Sequence, residues 1–171
     1  MVTFDDADVP ATAAANTNNL LDQRVLSLFG YYGSVQVTAV NALLKDTDIL
    51  LLGSMAGADE LRGALSPNVY SIRPGYSKEA AVITRHAETF CMHKLAILHA
   101  RDPESLATLD PPERTMTSLG ANLLLKTTLE NADKVTVVKA ESVLVISDPK
   151  CATAAIRALC AKSYKGPIYG F

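Results

Sequence analysis

The 171-residue chain predicts an α/β fold with parallel sheets and helices on both sheet faces. Two observations carry this expectation. Short runs nearly continuous in Leu, Val and Ile recur along the chain, as in parallel strands covered on both faces. Segments with helical periodicity lie between them, and alternation of the two types marks βα units.

Residues 2–4 read as a first short strand, and Asp5, Asp6 and Asp8 as a turn leading into the next helix. Strands follow at 25–29, 48–52 and 69–73, the last stopped by Pro74-Gly75. Ser77 precedes a helix whose Ala80, Ile83, Thr84, Ala87 and Cys91 repeat at three- and four-residue spacing, and Glu79 complements its positive start. A strand at 94–99 leads into 102–119, where Pro111-Pro112 interrupts what would be one crossover helix. Proline inside a helix costs about 3 kcal/mol, so two short helices are expected, the second starting at Asp110. A strand at 121–127 precedes the segment 131–139, whose Val and Thr make it a weak helix. The strand at 142–147 ends at Asp148-Pro149, an N-cap and first helical residue, with Ala152, Ala155, Ile156 and Leu159 as the buried stripe. The only break suited to a lobe boundary is Arg73-Pro74-Gly75, which gives a first lobe over 1–73 and a second over 76–171.

Composition narrows function. Sixteen basic against eighteen acidic residues give net charge −2, which leaves no electrostatic footprint for nucleic acid or anionic lipid. With 49% hydrophobic and 20% charged residues the chain is neither disordered nor a disulfide scaffold. Its apolar runs are too short to span a bilayer, and no basic segment followed by an apolar core opens the chain as a secretory signal would. Cys91, Cys151 and Cys160 are widely spaced and odd in number, and are expected to be buried free thiols.

Most chemical motifs fail on spacing. Gly53-Ser54-Met55-Ala56-Gly57 lacks the G-x-S-x-G order of a nucleophile elbow. Gly30-Tyr31-Tyr32-Gly33 is neither G-x-G-x-x-G nor followed by G-K-[S/T], so no nucleotide cofactor is expected. His86, Cys91, His93 and His99 match no zinc spacing, and Asp5, Asp6 and Asp8 lack the Gly and Glu of an EF-hand. Two loops remain. Gly30-Tyr31-Tyr32-Gly33-Ser34 and Met55-Ala56-Gly57-Ala58 each follow a strand and open a helix, presenting backbone N–H groups and a hydroxyl that suit a carboxylate. The same small residues equally suit close helix–strand packing.

An ordered set of segments then matches a known family. Phe4-Asp5-Asp6, Ala14-Ala15-Asn16-Thr17 and Leu28-Phe29-Gly30-Tyr31-Tyr32-Gly33-Ser34 are followed by Gly57-Ala58-Asp59-Glu60-Leu61-Arg62 and Asn68-Val69-Tyr70-Ser71-Ile72-Arg73. Tyr76-Ser77-Lys78-Glu79, Ala96-Ile97-Leu98-His99 and the tail from Cys151 continue in order. The set resembles the type I periplasmic binding proteins, closest to the branched-chain (Leu/Ile/Val) amino-acid-binding proteins of ABC transporters. The resemblance implies a two-lobe clamp of Rossmann-like parallel sheets, incomplete at both ends, that binds a small molecule such as an amino acid and is not an enzyme. It implies an extracytoplasmic location, and a transporter permease or the remainder of a receptor as partner. It places Ser34 on the carboxylate-binding serine, with Tyr32, Ala56 and Gly57 as the other ligand-binding residues. Relatives usually have a threonine where Ala56 and Gly57 stand. In the second lobe Asp102-Pro103-Glu104-Ser105 replaces an aromatic-glycine pair, and Asp148-Pro149 replaces a common tyrosine. A missing first unit is expected to leave an exposed sheet edge open to self-association. The alternatives are a receptor ectodomain such as that of a trypanosomatid receptor adenylate cyclase, a degenerate fragment without ligand, and a hydrolase using Ser54 or His99.

Overall fold

The computed structural model describes residues 1–170, apart from the side chains of Glu104 and Pro149. The chain divides into two compact units, Met1–Gly75 and the residues from Tyr76 onward. Every strand pair in both units is parallel.

The first unit runs α1 (Pro10–Asp22), β1 (Ser27–Phe29), α2 (Ser34–Leu44), β2 (Leu50–Ser54), two single-turn 3₁₀ helices (Asp59–Leu61 and Gly63–Leu65) and β3 (Val69–Ser71), with sheet order β1-β2-β3. Pro10 sits in the first turn of α1, where a backbone N–H is not needed. The turn before it forms as expected, with the side chains of Asp5 and Asp6 accepting the N–H groups of Ala7 and Asp8 at 2.9 Å. Strand β2 begins later than expected because Asn68 donates to the carbonyls of Leu44 and Thr47, holding the approach to the strand as a turn.

Register divides the apolar residues of this sheet into two rows. Leu28, Leu51 and Val69 lie side by side and are buried. The next row, Phe29, Leu52 and Tyr70, is exposed at 77%, 36% and 55%. Helices therefore do not cover both faces here, contrary to expectation. The helices α1 and α2 pack against each other, and neither shields the Phe29 row. Residues 2–4 form no strand, a second correction. The Gly30 N–H donates to the Leu52 carbonyl at 3.1 Å, so by alternation the backbone groups of Ser27 and Phe29 face away from β2. A groove of about 710 Å³ lies on that outer side, lined by residues 1–6 and 25–32. Residues 2–4 thus have no neighbouring strand to supply a hydrogen-bond ladder.

The second unit runs α3 (Tyr76–Thr89), β4 (Lys94–His99), α4 (Pro103–Ala107), α5 (Asp110–Ser118), β5 (Asn122–Thr128), a 3₁₀ turn (Leu129–Asn131), α6 (Lys134–Val137), β6 (Ser142–Ile146), α7 (Pro149–Ala161) and β7 (Ile168–Gly170). Sheet order is β5-β4-β6-β7. Here both faces are covered. Ile97, Leu144 and Ile146 pack with Ala80 of α3 and Met116 of α5. Ala96, Leu98, Val143 and Val145 point the other way and pack with Val135 of α6 and Leu159 of α7. The two helices on either side of Leu109, the second from Asp110, match the proline argument. Asp148 caps α7 as expected, its Oδ1 accepting from the N–H groups of Lys150 and Cys151 at 2.8 and 3.2 Å. Ile156, placed in the buried stripe by periodicity, is 37% exposed. Cys91 lies beyond the end of α3 in a left-handed conformation (φ 57°), where the Met92 N–H reaches back to the Ala87 carbonyl and ends the helix. All three cysteines are exposed, which overturns the expectation of buried thiols. Each sits outside a buried helical row, so chain position outweighs the general burial habit of the residue.

Candidate functional site

Two βα loops of the first unit meet at the carboxyl ends of β1 and β2. Gly30 (φ 78°) and Gly33 (φ 83°) turn the first loop through left-handed conformations that a side chain would strain. The turn brings the Tyr31 carbonyl to the Met55 N–H at 2.9 Å, so the second loop is pinned against the first. Behind it, Thr17 Oγ1 and the Tyr31 hydroxyl lie 2.8 Å apart. Burial pushes the Tyr31 hydroxyl up from its ordinary value, so it remains a neutral partner.

The centre of the arrangement is Ser34, the first residue of α2. Its Oγ accepts the N–H groups of Gly57 and Ala58, each at 3.2 Å. Ser34 is 5% exposed, Ala56 is fully buried and Gly57 is buried. The Ala56 N–H donates to Ser54 Oγ at 3.2 Å, which gives Ser54 a structural task inside the loop. In the next peptide, between Ala56 and Gly57, the Ala56 carbonyl accepts from Arg62 Nη2 at 2.6 Å, and that nitrogen also donates to the Pro74 carbonyl at 3.0 Å.

The structure therefore brings Ser34, Ala56 and Gly57 together. Tyr32 takes no part in these bonds: it is 66% exposed and lines the groove along β1, which contains none of the other three. That groove is lined by β1, apolar side chains and the polar Thr3, Asp5, Asp6 and Asn16, whereas the convergent donors lie at Ser34. The second loop opens only the three-residue 3₁₀ turn Asp59–Leu61, which corrects the expectation of a helix there and denies the loop a full helix dipole. Ala58 belongs to the loop expected to present N–H groups, whereas the sequence gives no role in the arrangement to Ser54 or Arg62.

The histidines do not converge. His86 Nδ1 lies 2.7 Å from the Tyr169 hydroxyl, and its ring stands edge-on to Phe90 at 5.1 Å. His99 Nδ1 lies 2.8 Å from the Ala100 carbonyl. Among the described residues no group of three His, Cys, Asp or Glu side chains is placed to hold a metal. Among them, too, no helix is long and apolar enough to cross a membrane.

A model of the periplasmic binding protein family matches residues 1–161. This chain belongs to that family. No curated protein matches it. Among solved structures, an extracellular ligand-binding receptor from Verminephrobacter eiseniae is 22% identical with TM-score 0.83, covering 97% of this chain and 50% of its own. An ABC transporter substrate-binding protein from Desulfitobacterium hafniense, in complex with Leu, is 12% identical with TM-score 0.84, covering 99% and 53%. A solute-binding protein of an ABC transporter from R. palustris, in complex with benzoate, is 17% identical with TM-score 0.81, covering 99% and 50%. At these identities the likeness shows the fold. This periplasmic binding protein spans about half the length of the solved structures it matches.

Proposed function

We propose that this periplasmic binding protein is an extracytoplasmic ligand-binding module of the ABC-transporter type, and that it takes a small carboxylate such as an amino acid at Ser34, Ala56 and Gly57. The observation that carries this reading is the convergence of the Gly57 and Ala58 N–H groups on the Ser34 hydroxyl. Two N–H donors and a hydroxyl at adjacent strand ends form the group set that a carboxylate needs. At 3.2 Å the bonds to Oγ are long, and a carboxylate oxygen accepts the same donors through shorter, charge-assisted bonds roughly twice as strong. Leucine and benzoate, the ligands named for two of the solved structures, share a carboxylate and little else. Tyr32, exposed in the first loop two residues before Ser34, offers an apolar surface to the remainder of the ligand in this reading. A transporter permease or the remainder of a receptor is the macromolecular partner of this reading.

Burial of Ser34, Ala56 and Gly57 favours a second reading, in which the same bonds are a structural knot and no ligand enters. Isothermal titration of the full chain with the twenty amino acids and with benzoate separates the two. The first reading expects heat with at least one carboxylate and an affinity loss of roughly 10- to 100-fold in Ser34→Ala, since a hydrogen bond to a charged group contributes about 1.5–3 kcal/mol. The second expects no heat with any of them.

A further inference from the structure

Arg62 joins two places of different kinds. Arg62 Nη2 donates to the Ala56 carbonyl at 2.6 Å and to the Pro74 carbonyl at 3.0 Å. Ala56 lies in the loop assigned above to the ligand, and Pro74-Gly75 is the last stretch of the first compact unit before the chain enters the second. The Ala56 carbonyl and the Gly57 N–H belong to one planar trans peptide, so they point in opposite directions. Holding the carbonyl fixes where the N–H aims, and the N–H is held towards Ser34. A cation on the carbonyl oxygen also polarises the peptide and makes its N–H a stronger donor. On its other side Arg62 is closely packed. Its Nε is buried without a hydrogen-bond partner, and a Cβ added at Gly75 would fall on the Asp59 carboxylate and within 3.0 Å of that Nε. One guanidinium nitrogen thus bridges the Ala56 and Pro74 carbonyls, with the Gly75 backbone close beside the same side chain.

We propose that Arg62 is a positioning residue that orients the Gly57 N–H for the ligand and couples it to the Pro74-Gly75 connection between the two units. The proposal rests on the reading of Ala56-Gly57 as a ligand loop, but the linkage itself is measurable without any ligand.

The nine glycines of the chain make glycine-selective ¹⁵N labelling a compact readout in the full-length protein. In Arg62→Met the Gly57 amide proton is expected to move upfield, while Gly120 and Gly166 of the second unit stay in place. Arg62→Lys, which keeps the charge but not the fork of donors, is expected to restore part of the shift. Gly75→Ala perturbs the far end of the link. It is expected to move Gly57 in the native background and to leave it unmoved when Arg62 is already Met. A Gly57 signal indifferent to Arg62→Met overturns the proposal, as does a Gly75→Ala shift of equal size in both backgrounds. Should Arg62→Met fail to fold, Arg62→Lys decides: an unmoved Gly57 amide in that variant overturns the coupling, and a moved one supports it. Titrating the same samples with leucine and with benzoate then tests the ligand reading separately. Linkage without binding refutes the ligand assignment alone, and binding without linkage refutes Arg62 alone.

Discussion

Replacing Ser34 by alanine removes one oxygen and leaves two buried N–H groups, those of Gly57 and Ala58, without their acceptor. Each such bond contributes about 0.5–1.5 kcal/mol net, so the two together amount to about 1–3 kcal/mol. Helix propensity works the other way. Alanine exceeds serine by roughly 0.5 kcal/mol in a helix interior, and Ser34 is the first residue of α2, where the gain is smaller. The hydrogen-bond loss therefore wins. Amide hydrogen exchange isolates the effect, because it reports each compact unit by its own residues. In Ser34→Ala the opening free energy at Val37 and Val40 of α2 is expected to fall by about 1–3 kcal/mol, while Ile97 and Leu144 of the second unit are unchanged. A change at Val37 and Val40 below about 0.5 kcal/mol, or any gain, refutes the assignment of Ser34 as the tie between the loops.

Further outcomes follow from the second unit. The Glu141 carboxyl is held below its ordinary value by the Lys94 N–H, the His93 N–H and the Lys94 ammonium group. A depressed folded-state value stabilises above the ordinary carboxylate range and is lost as pH falls through it. Urea unfolding of the second unit should thus weaken between about pH 6 and pH 3, with a shallower slope in Glu141→Gln; an identical slope contradicts this. Burial pushes the Tyr164 hydroxyl up to about 12, and its oxygen is buried without a hydrogen-bond partner. Tyr164→Phe should therefore raise stability by about 1 kcal/mol in thermal unfolding, and a loss of that size would show that the hydroxyl is satisfied. All three exposed thiols should react with a disulfide reagent in the native protein. Cys151 should be slowest, since the neighbouring Asp148 pushes its thiol up; a thiol that reacts only in denaturant contradicts the placement.

The fold was legible in the sequence where a local rule had no competitor. The interruption at Pro111-Pro112 gave two helices, and Asp148-Pro149 gave a capped one, because cap chemistry and proline geometry act within a single turn. Continuous apolar runs predicted parallel strands in both units, yet they could not distinguish a covered face from an uncovered one. Phe29, Leu52 and Tyr70 read like core residues and are exposed, while Ile97 and Leu144 read the same way and are buried. That difference lies in the helices packed on each sheet, which no strand encodes. Strand β7 was missed because its three residues are too few to show a pattern and follow Gly166-Pro167. At the candidate site, loop composition singled out the two loops, and the family resemblance assigned Ser34, Ala56 and Gly57 within them. Arg62 stayed hidden because its partners are backbone carbonyls, and carbonyls carry no sequence signature.

The claim on which the rest depends is that the Gly57 and Ala58 N–H groups receive a carboxylate. Paired titrations that follow the Gly57 and Ala58 amide signals test it directly: leucine against leucinamide, and benzoate against benzamide. A saturable shift of both amides is expected with at least one acid, and none with its uncharged amide. Amide signals that stay fixed with both acids, or that move equally with acid and amide, would contradict it.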